Sequence, residues 1–249
     1  MVDAELRDQY LEVMGVAQWV PRSPALGCPA AVPETIRSDS PSVSEAAFEP
    51  PSNPSAPDGT LSGLGWGQLQ ARVAGCTACE LHATRTQTVF GVGDRHAEWM
   101  IIGEAPGGDE DRQGEPFVGR AGQLLNAMLQ AVGLGRNQVF IANILKCRPP
   151  RNRDPLPCEV SACEAYLRRQ ISLVRPKLIL VVGRIAAQTL LNTQVSIGRL
   201  RGQVHRYHPA EIPLVVTYHP AYLLRSPKEK RKSWEDLRLA QSVVRQQRG

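Results

Sequence analysis

Residues 99–134 read WMIIGEAPGGDEDRQGEPFVGRAGQLLNAMLQAVGL: an apolar stretch, a turn rich in glycine and acid, and an amphipathic stretch. The apolar start predicts a short β-strand that ends in the turn. After the turn, apolar residues recur at spacings of three and four, which predicts a helix with one apolar face. That face holds Leu124, Leu125, Met128, Leu129 and Val132. Strand, turn and helix in this order are typical of an α/β protein.

The same alternation continues towards the C-terminus. Further strands are predicted within residues 138–147, 176–183 and 212–220, and further helices within 159–175, 184–192 and 226–247. The sequence therefore predicts a three-layer α/β/α fold around a central, mostly parallel, four-stranded sheet. Ligands of such sheets bind beyond the carboxyl ends of the strands, where the acidic glycine-rich turn, Asn143 and His219 all fall. Phosphates prefer cations and N–H groups, so the acidic turn disfavours a nucleotide triphosphate as its ligand.

The first 60 residues differ from the rest in charge and composition. Residues 1–60 carry 3 basic and 9 acidic side chains, whereas residues 61–249 carry 26 basic and 15 acidic ones. We expect an amphipathic docking helix in residues 1–20, a disordered linker rich in proline and serine in residues 21–60, and a folded domain in residues 61–249. The basic balance of that domain suits nucleic acid, although a solvated basic surface would look the same.

Location and assembly follow from simpler features. No apolar run approaches the roughly 20 residues that a membrane-spanning helix needs. The acidic start MVDAELRDQY is unlike a secretory signal. We therefore expect a cytoplasmic monomer that makes no contact with a membrane.

Six cysteines occur in the chain, and disulfides are rare in the cytoplasm. Cys76 and Cys79 form a C-x2-C pair, and Cys147 and Cys163 are the next candidates to complete a site. Four thiolates can hold either zinc or an iron–sulfur cluster. Spacing alone leaves Cys158 possible as the fourth ligand, and it also leaves independent reduced thiols possible.

Four segments make the chain recognisable. They are RTQTVFGVGD at 85–94, IIGEAPGGDEDRQGEPFVGRAGQLL at 101–125, NILKCRPPRNRDP at 143–155 and TYHPAYLLRSP at 217–227. In this order, over about residues 66–245, they closely resemble the iron–sulfur uracil-DNA glycosylases called family 4. The resemblance implies excision of uracil from DNA as the first step of base excision repair. It also implies a structural [4Fe–4S] cluster on Cys76, Cys79, Cys147 and Cys163, with Cys158 outside the ligand set.

Three residues match the resemblance and the needs of uracil excision. Phe117 is expected to stack on the flipped base, as the matching residue does in the family. Asn143 is expected to donate to uracil O4 and accept from N3–H, a pair of groups that cytosine presents in reverse. His219 is expected to donate to O2 while negative charge moves onto the departing base.

The remaining pocket residues follow the first strand. Glu104 is expected to position or polarise the attacking water. In other uracil glycosylases an Asp or Asn holds the water at the next position, which here is Ala105, as is usual for family 4. We expect Gly103 and Ala105 to border the substrate and the glycosidic bond to break before water adds. Asp111 either supports the turn and the water or caps a helix.

Contacts with DNA are expected from two loops. Leu223 or Leu224 would fill the vacated stack, with Leu224 preferred, and Arg225 would hold a phosphate. In the second loop, beside Cys147, basic residues are expected along the DNA backbone. These residues are Lys146, Arg148, Arg151 and Arg153.

Residues 10–22, YLEVMGVAQWVPR, resemble the N-terminal segment of the psi subunit of bacterial DNA polymerase III, which docks on the chi subunit. The resemblance implies that residues 3–22 tether the enzyme to chi, whereas an unrelated amphipathic helix is the plainer alternative. For the whole chain, the main alternative function is a non-catalytic, metal- or cluster-bearing module that binds nucleic acid. A hydrolase of small uracil nucleosides is disfavoured by the basic C-terminal helix.

Overall fold

A mixed β-sheet forms the centre of the domain. The computed structural model of the chain describes residues 61–247, all of which belong to the second of two units, Ser52–Gly249. Its strands are β1 (Val92–Gly93), β2 (Trp99–Gly103), β3 (Phe140–Asn143), β4 (Leu178–Val182), β5 (Val204–Tyr207) and β6 (Ile212–Thr217). They lie side by side in the order β1-β3-β2-β4-β6-β5. The predicted docking helix and linker fall outside the described residues.

The sheet has six strands among the described residues, so the expected four-strand count is wrong in that detail. The four predicted strands, β2, β3, β4 and β6, pair in parallel as expected. The two additional strands, β1 and β5, pair antiparallel at the edges. These two strands were not predicted because β1 has two residues and β5 reads VHRY, without the apolar run of a central strand.

Helices cover both faces of the sheet, which confirms the predicted three-layer α/β/α fold. They are α1 (Trp66–Ala74), α2 (Gly108–Gln113), α3 (Arg120–Ala131), α4 (Pro157–Val174), α5 (Arg184–Leu190), α6 (Ile197–Leu200), α7 (Pro220–Arg225) and α8 (Lys230–Gln246). Alternate residues of β2 point to opposite faces: Ile102 packs with α4 and α5, whereas Ile101 packs with α3 and α8. Within residues 61–247, no helix has the length and apolar composition needed to cross a bilayer.

The carboxyl ends of the parallel strands meet at one edge of the sheet. Gly103 of β2 stands opposite Asn143 of β3, and Val182 of β4 stands opposite Thr217 of β6. The chain leaves β2 into the acidic turn and leaves β6 towards His219, two residues further on. The sheet thus brings three distant sequence segments to one edge.

Candidate active site

Phe117 lies in the turn between α2 and α3, where two charged side chains hold the backbone. Its φ of +55° is in the left-handed region, which a phenylalanine rarely adopts, yet its ring is buried. Arg136 donates to the carbonyl groups of Pro116 and Phe117, the latter at 3.3 Å. The Glu110 carboxylate accepts from the next two N–H groups, at 3.1 and 3.4 Å. These bonds offset the cost of the strained backbone and fix the ring.

Two glycines make room for this arrangement. At Gly122, a Cβ atom would lie 1.8 Å from the Phe117 carbonyl oxygen, so any side chain would collide with the turn. At Gly103, a Cβ atom would lie 2.5 Å from Asn143 Oδ1 and 2.6 Å from Phe117 Cζ. The amide and the ring therefore border the same point at the end of β2.

Asn143 is the last residue of β3, and its side chain is buried. Its Oδ1 atom accepts no hydrogen bond from the described residues. A buried amide oxygen without a partner is costly, and it indicates a site that a ligand can satisfy. The Lys146 ammonium donates to the Asn143 backbone carbonyl at 2.7 Å, and this bond stabilises the end of β3.

His219 caps the N-terminus of α7, and this fixes its tautomer. Its Nδ1 atom accepts from the N–H of Ala221 at 3.1 Å, so a neutral ring carries its proton on Nε2. Burial, followed by the positive charge of Arg225, lowers the pKa of His219 to about 4. The imidazole is therefore neutral at pH 7 and offers Nε2–H as a donor. The ring centroids of His219 and Phe117 are 5.7 Å apart.

Glu104 directly follows β2 and is half-buried. Burial, followed by the negative charge of Asp154, raises the pKa of Glu104 to about 7, while Arg184 acts in the opposite direction. A carboxyl group with this pKa can exchange a proton near neutral pH. It thus has the acid–base character that a water-positioning group requires.

The other residues predicted around the turn have different surroundings. The Asp111 carboxylate accepts twice from the N–H of Thr86, at 2.9 and 3.1 Å, so it ties α2 to the preceding segment. Ala105 packs beside the core on the α4 side of the sheet. The Glu110 carboxylate caps α2 by accepting from Gly107 N–H at 3.1 Å.

The predicted DNA-contacting residues divide by exposure. Leu223 is 1% exposed and belongs to the core, whereas Leu224 is 36% exposed. Arg225 and Arg151 are exposed, and Arg148 is half-buried with its Nε donating to Asn152 at 2.8 Å.

Lys146 is a correction to the prediction. It is 2% exposed, and its ammonium donates to Gln170 Oε1 at 2.7 Å as well as to Asn143. Burial lowers its pKa to about 8. The expected contact of Lys146 with a DNA phosphate is therefore wrong, because its charge is directed into the protein.

Four cysteines share one electrostatic environment. The Cys79 thiol interacts with those of Cys147 and Cys76, and the Cys163 thiol interacts with those of Cys147 and Cys79. Burial raises the pKa of Cys79, Cys147 and Cys163. Cys158 is exposed, and none of these interactions involves it. Across residues 61–247, no three His, Cys, Asp or Glu side chains are grouped so that they could hold a metal ion.

Two groups that support the site are not predictable from the sequence. Arg136 reaches the Phe117 turn from the polar segment after α3, where nothing in the pattern distinguishes it from a surface arginine. The ion pair of Arg184 with Asp154, at 2.8 Å, lies in the electrostatic environment of Glu104. Only the fold brings these charges to the site.

The sequence of the chain is similar to those of known proteins. The family model of the Uracil DNA glycosylase superfamily matches residues 90–238. The Type-4 uracil-DNA glycosylase of Archaeoglobus fulgidus is 44% identical, covering 67% of this chain and 86% of its own length. Those of Sulfurisphaera tokodaii and Thermotoga maritima are 43% and 40% identical, covering 69% and 72% of this chain and 81% and 94% of their own lengths. The chain therefore belongs to the uracil-DNA glycosylase superfamily and, within it, to the type-4 family.

Proposed function

We propose that this protein is a DNA glycosylase that hydrolyses the N-glycosidic bond of uracil in DNA and so begins base excision repair. One observation carries the proposal: Phe117, the unpartnered Oδ1 of Asn143 and the neutral His219 converge at the carboxyl edge of the sheet. A base inside a duplex cannot reach such a site, so the uridine must leave the stack first.

Recognition depends on Phe117 and Asn143. The fixed Phe117 ring stacks on the uracil plane, an interaction that contributes about 1–3 kcal/mol for a base on an aromatic ring. Asn143 Oδ1 accepts from N3–H while its amide donates to O4. Cytosine has an acceptor at N3 and a donor at C4, so it would leave the buried amide unpaired at both atoms.

Bond cleavage depends on His219. As the bond between N1 and the sugar breaks, its electron pair passes to the uracil ring and negative charge builds on O2. The Nε2–H of His219 donates to that oxygen. Because the ring is already neutral, it acts as a fixed dipole and remains protonated on Nε2 throughout.

Water completes the reaction. Glu104 holds a water molecule. When the oxygen of this water bonds to the sugar carbon that uracil has left, the Glu104 carboxylate takes a proton from the water. No second carboxylate stands at the next position, Ala105. This favours a path in which the glycosidic bond breaks before the water adds.

A [4Fe–4S] cluster fits the cysteine environment. The candidate ligands are Cys76, Cys79, Cys147 and Cys163, whose thiols interact with one another. Each thiolate of such a cluster binds a different iron, so the four sulfurs need not converge on the single point that one zinc ion demands. Arg85 donates to Cys147 Sγ at 3.0 Å, which stabilises a thiolate there. When bound, the cluster supplies a structural crosslink.

The cluster region adjoins the proposed DNA surface. Cys147 is followed by Arg148 and Arg151, which we assign to the DNA backbone. Leu224 is assigned to the vacated stack and Arg225 to a phosphate.

The proposal extends to the rest of the chain. Residues 61–249 form the glycosylase domain, residues 21–60 a linker and residues 1–20 a docking helix, with residues 3–22 binding the chi subunit of DNA polymerase III. We infer a monomer that works in the cytoplasm, where cysteine thiols stay reduced. Loss of chi binding on deletion of residues 1–30 would support the docking role, and unchanged binding would contradict it.

Incubation with an oligonucleotide that contains one uracil, followed by alkali, tests the activity. The wild-type protein is expected to yield strand cleavage at the uracil, whereas Asn143→Ala and His219→Ala are expected to lose most of it while keeping their iron. Lys177→Ala, at the opposite end of the sheet, serves as the matched control. A wild-type protein that binds the oligonucleotide without producing an abasic site would favour the non-catalytic alternative.

A further inference from the structure

Two exposed apolar side chains lie on α7, the short helix that His219 caps. Tyr222 is 37% exposed and Leu224 is 36% exposed, whereas Leu223 between them is in the core. The Tyr222 N–H donates to the carbonyl of His219 at 2.9 Å, so its backbone is fixed relative to the uracil pocket. Leu224 already has a proposed role in the vacated stack, but the exposed tyrosine ring has none.

The Tyr222 ring is supported from behind. It packs against Tyr218, with ring centroids 5.1 Å apart and planes inclined by 44°. The Arg201 guanidinium lies 5.6 Å from the Tyr218 ring centroid, in a cation–π contact.

A buried carboxylate anchors this arrangement. Asp236 is fully buried and accepts from Arg201 Nε and Nη2 at 3.1 and 2.9 Å. A bidentate pair of this kind orients the guanidinium plane. The contacts that run from Asp236 through Arg201 to Tyr218 therefore limit the movement of the Tyr222 ring, which is still partly exposed to solvent.

We propose that Tyr222 is a DNA-binding residue that stacks on a base next to the flipped uridine. The inference rests on the proposed function, because it needs DNA to be bound at the edge of the sheet. The Tyr222 ring is held in place and exposed, and the exposed Arg225 follows it in the sequence. Proteins bind unstacked bases with this combination of an aromatic platform and a cation for the backbone.

The roles of Tyr222 and Leu224 are chemically distinct. A leucine wedge fills volume, and any apolar side chain of similar size can replace it in part. Stacking needs a planar ring, so Tyr222→Phe should retain it and Tyr222→Leu should lose it. The pair of substitutions separates a stacking role from simple volume or from a contact made by the hydroxyl group.

Steady-state kinetics on uracil-containing oligonucleotides test the proposal, with binding measured on DNA that carries a 2′-fluorinated deoxyuridine, whose glycosidic bond resists cleavage. Tyr222→Leu is expected to raise KM and Kd about 5- to 100-fold, with kcat within about twofold of wild type. Tyr222→Phe is expected to match wild type, and Tyr222→Trp to bind as tightly or more tightly. Trp234→Leu, which removes an aromatic ring that is 41% exposed on α8, is the matched control.

Two results would overturn the inference: unchanged KM and Kd in Tyr222→Leu, or an equal loss in Tyr222→Phe and Tyr222→Leu. A loss in Trp234→Leu as large as that in Tyr222→Leu would also count against it, because the effect would then not be specific to α7. Failure of the proposed function looks different, because the wild-type protein itself would release no uracil.

Discussion

The ring of Phe117 and the imidazole of His219 lie 5.7 Å apart between centroids, with their planes inclined by 30°. One ring comes from the turn after α2 and the other from the residue that caps α7. The edge of the sheet thus places an apolar stacking surface beside a neutral hydrogen-bond donor.

Replacing Phe117 by leucine removes the stacking face but keeps apolar volume. We expect kcat/KM for uracil release to fall about 5- to 100-fold, since stacking contributes about 1–3 kcal/mol. The matched control is Phe140→Leu in the core at the start of β3, which should lower thermal stability without raising KM. Equal kinetics of Phe117→Leu and wild type would argue against stacking.

Glu104 should control the pH dependence. If its ionised form accepts the proton from water, the single-turnover rate rises with pH and levels off above a pKa of about 7. Glu104→Gln should be slower and lose this step, and Asp154→Asn should move the midpoint to lower pH by removing a negative neighbour. His219, with a pKa of about 4, should not titrate between pH ~5 and ~9. If the rise of the rate with pH persists in Glu104→Gln, the titrating group is another residue.

Arg136 should act through the position of Phe117. Arg136→Met releases the carbonyl groups of Pro116 and Phe117, and we expect about a tenfold loss of kcat/KM with a smaller effect in Arg136→Lys. Arg112→Met, which breaks an exposed ion pair with Asp109 on α2, is the control and should change little. A similar loss of kcat/KM in Arg112→Met would indicate a general effect of removing an arginine.

Iron content should depend on the proposed ligand set. Cys163→Ala is expected to lose iron, acid-labile sulfide and visible absorbance, because a buried ligand is removed from the proposed set. Cys158→Ala changes an exposed thiol outside the set and should keep all three. Iron loss in Cys158→Ala, with retention in Cys163→Ala, would reverse the assignment.

Arg225 should contribute one phosphate contact. Arg225→Gln is expected to weaken DNA binding at every sequence and to reduce the slope of log K against log salt by about 0.9 for duplex DNA. Lys177→Gln, at the amino end of β4, removes a charge far from the proposed surface and should leave the slope unchanged. An unchanged slope in Arg225→Gln would place this arginine away from the backbone.

The central part of the fold was predictable because buried parallel strands carry unbroken apolar runs. The LILVV of β4 is an example, since all five residues are buried. The edge strands were not predictable, because β1 has only two residues and the four residues of β5, VHRY, are too few to show a pattern. Edge pairing is a property of the backbone and of the neighbouring strand, which a short segment does not encode in its own composition.

The site was predictable where a residue ends a strand. Asn143 and His219 each follow an apolar run, and parallel topology brings such ends together. The burial of Lys146 was not predictable, because a lysine in a basic segment is typical of a surface, and only the fold provides the carbonyl and amide oxygens that accept from it. Arg136 was missed for a related reason, since its partners are backbone carbonyl groups and leave no trace in side-chain patterns.

Gly103 has a consequence for how this enzyme can evolve. Gly103 presents bare backbone to the amide of Asn143 and the ring of Phe117, and even one methyl group there would collide with both. A larger residue at this position would therefore have to displace the amide or the ring, on which the proposed recognition of uracil depends. Activity on other bases must therefore arise from substitutions of the side chains that border the base, and each of these substitutions also alters the contacts with uracil.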